Sequence, residues 1–243
     1  MKLDYLAFAA HPDDAELSMG GTIAKLIKQN KKFGIIDLTA GELGSRGNKK
    51  TRAEEAKSAN KILNLSIREN LGFKDGSVFA DDKNTLKIVE IIRKYEPKII
   101  FAPYFNDRHP DHIETSKLIK RAMFFSGVTK VKTKNKGIDQ RPFRPKNLFY
   151  FMQTYEFQPS FIVDISDTFE IKMKSVLAYK TQFFIEGAKN NEPNTFISNP
   201  EFVKYLEARA KTFGFKIGKK YGEPFFSEEA IEIKLENYAE NSQ

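Results

Sequence analysis

The chain has 243 residues, of which 40% are hydrophobic and 22 are phenylalanine, and this is enough for one sizeable core. It contains no cysteine, which excludes disulfide bonds and thiolate metal sites, so any metal ion must be held by histidine and carboxylate side chains. The formal net charge of +8 is compatible with nucleic acid, an anionic surface or an acidic small molecule as partner, and charge alone does not distinguish them.

Apolar runs alternate with helical patterns in the first half of the chain. Runs at residues 3–10, 33–38 and 98–103 predict short buried strands. Apolar residues at helical spacing predict helices over residues 17–29, 51–63 and 86–95, the second with Thr51 as its N-cap. Because parallel strands need crossover connections that are usually helical, this order predicts an α/β fold, a Rossmann-like doubly wound and mostly parallel sheet with helices on both faces.

The second half continues this pattern and then becomes rich in turns. Residues 148–152 and 161–165 predict two more strands, and Asp167 opens a predicted helix that runs to about residue 183. A turn-rich stretch at residues 186–200 precedes a predicted helix near residues 201–213. Since no linker separates these parts, we predict a single domain over residues 1–243, with the C-terminal segment (about residues 185–243) packed on or near the site.

Much of the basic excess lies at residues 130–136 and 141–146, which have little apolar periodicity and contain two prolines. This pattern favours a solvated surface loop over a docking helix. At the N-terminus, Asp4 interrupts what would have to be an apolar signal segment, and no apolar run approaches the roughly 18 residues that a membrane span needs. We expect a soluble cytoplasmic protein with no membrane partner.

All three histidines lie in two loops, at residues 10–16 and 106–112. The first loop directly follows the first predicted strand, and the second comes a few residues after the strand ending at Pro103. In an open α/β sheet, ligands bind beyond the carboxyl ends of the strands. Because both loops also contain proline and aspartate, their composition favours a functional site over structural histidines.

The residue types in these loops are those of a catalytic metal site. Catalytic zinc is typically held by three histidine or carboxylate ligands, which leaves the fourth position for water. His11 and His112 supply imidazoles, and of the two aspartates that follow His11 one can coordinate while the other acts as a base. The second loop adds His109 beside the predicted ligand, with Asp111 available to orient an imidazole.

Two other classes of protein stay open on these residues alone. Two histidines and one carboxylate also form the facial triad of non-haem Fe(II) oxygenases, although the doubly wound pattern and the spare aspartate favour a hydrolase. A nucleic-acid-binding protein would suit the isoelectric point of about 9.3. Against it, the chain has no tryptophan and no recognisable binding motif, and its lysine run lacks interleaved aromatic residues.

Five short motifs stand out along the chain: HPDD at residues 11–14, GGT at 20–22, AGELGSRG at 40–47, FAPY at 101–104 and DRHPDH at 107–112. They resemble motifs of the PIG-L/LmbE family of zinc-dependent de-N-acetylases. The resemblance covers about the first 125 residues and extends to a motif at residues 164–166 and to the tail at residues 221–225. The branch that the chain resembles in particular is the bacillithiol-pathway group, which deacetylates N-acetylglucosaminyl malate.

The resemblance implies a role for each residue of the two loops. His11, Asp14 and His112 are then the zinc ligands, and Fe(II) could occupy the same ligand set in the cell. Asp13 becomes the general base, and a protonated His109 stabilises the oxyanion together with the metal. Family members that act on inositol-linked sugars place a tyrosine at the position of Asp107, so the resemblance argues against a mycothiol-type substrate.

Three further residues match positions at which this branch contacts its substrate. Arg52 and Arg108 correspond to residues that grip the anionic part, and a guanidinium suits bidentate contact with a carboxylate. An alternative for Arg52 is an exposed first-turn residue paired with a neighbouring glutamate. Glu42 corresponds to an acid near the sugar, although an acid in a loop is also ordinary surface.

The resemblance predicts a small anionic amino sugar as the substrate, led by N-acetyl-alpha-D-glucosaminyl L-malate. An N-acetylated sugar such as diacetylchitobiose is the alternative. Because relatives often assemble, we also expect a homo-oligomer.

Overall fold

A computed structural model describes residues 1–183 and 193–233. In this part of the chain no helix combines the length and the apolarity that a bilayer crossing requires. The strands are β1 (Tyr5–Ala9), β2 (Phe33–Thr39), β3 (Ile67–Phe73), β4 (Ile99–Pro103), β5 (Lys134–Asn135), β6 (Ile138–Asp139), β7 (Asn147–Phe151), β8 (Phe161–Asp164) and β9 (Gly222–Phe226). The helices are α1 (Asp14–Lys28), α2 (Lys49–Leu63), α3 (Asp82–Tyr95), α4 (Pro110–Ser126), α5 (Phe169–Val176) and α6 (Pro200–Phe215).

Seven of these strands form one twisted sheet in the order β3-β2-β1-β4-β7-β9-β8. Strands β3, β2, β1, β4 and β7 are parallel, whereas β9 is antiparallel to both of its neighbours. Side chains alternate along β1, so that Leu6 and Phe8 pack with α3 and α4 while Ala7 and Ala9 pack with α1. The predicted α/β sheet with helices on both faces is confirmed.

The five predicted strands are present, but two strands of this sheet were missed. Strand β3 mixes charged and apolar residues and lies at the sheet edge, where partial burial suffices, so its sequence lacks the apolar run of a central strand. Strand β9 contains Glu223 and Pro224, which are unfavourable in an isolated strand. Both exceptions arise because tertiary position outweighs local sequence preference.

Some helix boundaries also differ from the prediction. Helix α2 begins at Lys49 with Asn48 as its N-cap, and the predicted cap, Thr51, is instead the other half of the capping box, since its hydroxyl accepts the backbone N–H of Asn48. Helix α5 begins at Phe169 after Thr168 rather than at Asp167, and it ends at Val176, well short of residue 183. Helix α4, which follows the second histidine loop, was not predicted.

The strand order determines where a site can form. After β1 the chain moves outward to β2 and β3, and it then returns to place β4 on the other side of β1. The loops that leave the carboxyl ends of β1 and β4 therefore separate in opposite directions and open a crevice between them. Both histidine loops lie at this crevice, although about a hundred residues separate them in the sequence.

Helix α1 is kinked at Met19, and the kink is capped by a residue from the far end of the chain. The buried Glu223 carboxylate accepts the backbone N–H groups of Gly21 at 3.0 Å and Thr22 at 2.7 Å, and Lys172 donates to it at 2.5 Å. Gly21 is required because a Cβ there would lie 2.8 Å from the Ile165 side chain. This contact joins α1, α5 and β9 behind the site.

The substitution Glu223→Gln tests the importance of this contact. It leaves the Lys172 ammonium buried without its counter-charge and turns an amide donor toward other donors, so we expect a loss of about 3–5 kcal/mol in the free energy of unfolding. Denaturant unfolding measures this, with Glu201→Gln as the control, since Glu201 forms an exposed pair with Lys204 whose loss costs less than about 1 kcal/mol. Equal unfolding midpoints for the two variants would contradict the expectation.

Candidate active site

The two histidine loops meet at one carboxylate. His11 lies in the loop after β1, Asp14 is the first residue of α1, and His112 lies in the first turn of α4. Asp14 Oδ2 is 3.6 Å from His11 Nδ1, and Asp14 Oδ1 is 3.3 Å from His112 Nε2. All three side chains are buried. The structure thus brings together the three residues that the sequence proposes as metal ligands.

The imidazole of His112 is oriented by Asp107. The Asp107 Oδ1 atom is 2.9 Å from His112 Nδ1, which leaves His112 Nε2 facing Asp14. Asp107 is itself fixed, because its carboxylate accepts the backbone N–H groups of His109, Thr154 and Tyr155. A carboxylate behind a ligand histidine is the usual outer partner of a metal site.

The imidazole of His11 is held by two carboxylates. His11 Nε2 is 3.1 Å from Asp75 Oδ1 and 3.5 Å from Asp111 Oδ2, so that His11 Nδ1 is the nitrogen left facing Asp14. Backbone N–H groups donate to both acids. The N–H of Leu43 donates to Asp75, and the N–H groups of Gly76 and Val78 donate to Asp111. Asp111, expected to orient an imidazole, lies against His11.

These contacts fit a metal ion. The outer nitrogens of both imidazoles contact carboxylates, while the inner nitrogens, His11 Nδ1 and His112 Nε2, each face one oxygen of Asp14. Two imidazoles and one carboxylate are a ligand set that suits a divalent cation. Burial opposes ionisation of Asp14, but His112 and His11 hold its pKa well below the usual range. Ring nitrogens of His11, His109 and His112 also lie within 4.8 Å of one another.

Asp13, beside the candidate ligand, has a different environment. Its carboxylate is buried 3.3 Å from the Arg52 guanidinium, and its backbone has a φ of 109°, a conformation that costs energy for a residue other than glycine. Burial raises the pKa of Asp13 to about 7, with Arg52 acting in the opposite direction. The two adjacent aspartates are therefore distinct, one suited to bind a cation and the other to exchange a proton.

His109 caps helix α4 and faces the same centre. Its Nδ1 accepts the backbone N–H of Asp111 at 3.2 Å, so Nε2 is the nitrogen that carries hydrogen in the neutral ring. Burial and the neighbouring imidazoles of His11 and His112 lower the pKa of His109. This environment favours a neutral donor, in contrast to the protonated His109 that the resemblance implies.

The three residues expected to contact substrate lie in different surroundings. Arg52 is buried at the cavity, and its Nη2 donates to Pro12 O at 2.6 Å as well as to Asp13. The exposed alternative for Arg52 is therefore wrong, and its contact with substrate stays a prediction. Arg108 is exposed at the cavity. The carboxylate of Glu42 accepts the backbone N–H groups of Asp75 and Ala40, and its part in substrate binding stays a prediction.

A cavity of about 400 Å³ extends from the candidate metal centre. Its far wall consists of side chains from residues 195–209. The C-terminal segment predicted to pack on or near the site also includes residues 185–192 and 234–243, which lie outside the described residues. The wall residues are mostly apolar or aromatic, and sequence analysis identified none of them as site residues. They are Thr195, Phe196, Ile197, Phe202, Tyr205, Leu206 and Arg209.

The contacts of Asp75 and Asp107 with the two imidazoles are not apparent from the sequence. Asp75 follows the undetected edge strand β3, so its position at a strand end was not apparent. In the sequence, Asp107 stands out only because family members that act on inositol-linked sugars have a tyrosine at its position. Its position five residues before His112 was the available signal, because the turn between them lets the two side chains meet.

The substitution Asp107→Asn tests the outer contact to His112. We expect Zn²⁺ affinity to fall about 10- to 100-fold, because the amide no longer supplies a charged acceptor to His112 Nδ1. Competition with a fluorescent chelator measures the affinity, and Asp139→Asn on the exposed hairpin strand β6 serves as the control. Unchanged affinity in Asp107→Asn, with the fold intact by circular dichroism, would show that this contact does not support metal binding.

The chain is similar to known proteins over the part that contains the two histidine loops. The family model described as PIG-L: GlcNAc-PI de-N-acetylase matches residues 6–123, which include both histidine loops. A conserved protein of Thermus thermophilus has a similar structure, with a TM-score of 0.86 and 36% sequence identity, over 96% of this chain and 98% of that one.

Two curated relatives have named activities. The diacetylchitobiose deacetylase of Thermococcus kodakarensis is 28% identical over 90% of this chain and 80% of its own length. A protein of Bacillus subtilis named probable N-acetyl-alpha-D-glucosaminyl L-malate deacetylase 2 is 28% identical over 79% of this chain and 92% of its own length. The chain therefore belongs to the PIG-L family of N-deacetylases.

Proposed function

We propose that this deacetylase removes the acetyl group from an N-acetylglucosamine conjugate with an anionic aglycone, and that N-acetyl-alpha-D-glucosaminyl L-malate is its leading substrate. The observation that carries the reaction type is the placement of Asp14 between two imidazoles with Asp13 adjacent and paired to Arg52. A metal-dependent hydrolase uses a metal site and a separate base, and this arrangement supports an assignment of both.

His11, Asp14 and His112 would hold the metal, which we propose to be zinc, with Fe(II) as the alternative in the cell. A divalent ion there supplies Lewis acidity, which lowers the pKa of a water molecule and polarises a carbonyl. The Asp13 carboxylate accepts the proton of the attacking water and returns it to the leaving amine. Arg52 positions Asp13 for this exchange, because its guanidinium contacts both that carboxylate and the preceding carbonyl.

His109 supplies a hydrogen-bond donor to the acetamide oxygen. Since Nδ1 is occupied by the Asp111 N–H, the Nε2–H is available to the cavity that His109 lines. A donor fixed by the helix N-terminus can stabilise negative charge as it develops on the oxygen, without reorganisation during the reaction.

The anionic aglycone is assigned to Arg108. Arg52 lines the cavity but is buried, and its Nη2 donates to Pro12 and Asp13, whereas Arg108 is exposed at the cavity and forms no hydrogen bond or ion pair with the described residues. A guanidinium can bind a carboxylate through two parallel N–H groups. The name of the Bacillus subtilis relative agrees with malate as that group.

A panel of matched substrates tests this proposal. Acetate release is measured for N-acetylglucosaminyl malate and for the neutral methyl glycoside of N-acetylglucosamine, with the native chain and with Arg108→Ala. We expect kcat/KM for the malate conjugate to fall about 10- to 100-fold in the variant, because a charge-assisted bidentate contact is lost, with a smaller change for the glycoside. A native chain indifferent to the anionic group would contradict the proposed substrate.

Diacetylchitobiose is a second candidate, supported by the aromatic wall of the cavity. Phe196, Phe202 and Tyr205 present ring surfaces on which a second sugar can pack. The Thermococcus kodakarensis relative is named for this substrate. Inclusion of diacetylchitobiose in the same panel ranks the two candidates directly.

The substitution His109→Ala tests the donor role. We expect kcat to fall about 100- to 1,000-fold, because one stabilising contact to the oxyanion is removed. Bound metal, measured by elemental analysis, should stay at the native level, since His109 is not one of the proposed ligands. Near-native turnover would exclude this role, and loss of the metal would make His109 a ligand instead.

A further inference from the structure

Arg108 is held at the cavity by an aromatic ring rather than by an acid. Its guanidinium carbon lies 4.8 Å from the ring centroid of Phe196. The residues on either side, Asp107 and His109, are fixed by the metal-site contacts, so the backbone of Arg108 is fixed as well. The pair joins the loop after β4 to the C-terminal segment, and both residues line the cavity.

Phe196 is itself anchored although 54% of its surface is exposed. It lies in a turn closed by reciprocal hydrogen bonds between Thr195 and the buried Ser198. Its ring packs edge-on against Phe202 at 5.5 Å, and Phe202 stacks on the buried Phe183 at 6.0 Å. The ring is therefore a fixed surface that the flexible arginine can use.

A guanidinium that stacks on an aromatic ring can still donate hydrogen bonds to an anion. The attraction involves the face of the cation, while the N–H donors are arranged around its edge. An arginine held in this way loses less conformational freedom when it binds a carboxylate than one that moves freely in solvent. Stacking therefore increases affinity for an anion without any contact between the ring and that anion.

We propose that Phe196 determines specificity for the anionic aglycone by holding Arg108 in a carboxylate-binding position, an inference that rests on the proposed function. The ring acts through the arginine and not on the reacting acetamide. The C-terminal segment thereby sets which conjugates are deacetylated, although the metal centre lies in the first half of the chain.

The test compares Phe196→Leu and Phe196→Tyr on the malate conjugate and the neutral methyl glycoside. In Phe196→Leu the ratio of the two kcat/KM values should fall about 3- to 30-fold through a higher KM for the malate conjugate, whereas Phe196→Tyr should keep the native ratio. The double variant with Arg108→Ala should show a ratio no lower than that of Arg108→Ala alone, because both changes remove one contact.

A matched control is available on the surface. Arg144 lies 4.9 Å from the exposed ring of Phe124, which does not line the cavity, so Phe124→Leu removes a similar pair elsewhere. Its activity on both substrates should match that of the native chain. A ratio in Phe196→Leu that equals the native one, equal losses on both substrates, or additive effects in the double variant would each overturn the inference.

The two proposals fail in distinguishable ways. If the native chain does not prefer the malate conjugate, or if Arg108→Ala keeps the preference, the anionic substrate is wrong and this inference is overturned with it. If Arg108→Ala abolishes the preference while Phe196→Leu retains it, only the part assigned to Phe196 is wrong.

Discussion

One carboxylate, Asp14, contacts two imidazoles inside the protein, and the polar groups of the site are arranged around this contact. Charged and polar groups are costly to bury unless each is paired, and here the pairing extends outward in layers. Asp75 and Asp111 contact His11, and Asp107 contacts His112. Backbone N–H groups from the loops after β2, β3, β4 and β7 donate to those three acids. The loops that contain no candidate ligand are thus still part of the centre.

This layered arrangement explains which parts of the site can be predicted from the sequence. The histidine loops were visible because polar residues directly follow apolar strands, and parallel strands bring their carboxyl ends to one edge. Asp75 was hidden because its strand, β3, is a half-buried edge strand without a clear apolar pattern. The capping of α1 by Glu223 joins residues about two hundred positions apart, and no local pattern can show such a contact.

The outcome for Arg52 shows a related limit. Its place in the first turn of α2 suggested either solvent exposure or contact with substrate. In the structure the guanidinium is buried against Pro12 and Asp13, and Gly41 packs so closely on it that a Cβ there would lie 3.0 Å from Nη2. Helical position indicates which face a residue occupies, but the packing of a separate loop decides whether that face is exposed.

Different parts of the chain form the candidate catalytic centre and the aromatic wall of the cavity. The candidate ligands, Asp13 and His109 all lie within residues 6–123, the part that the family model matches, whereas the aromatic wall comes from residues 195–209. Membership of the family therefore bears on the chemistry at the acetamide and says little about the aglycone. Because Arg108 belongs to the first part and its ring partner Phe196 to the second, the selectivity that we propose depends on a contact between the two parts of the chain.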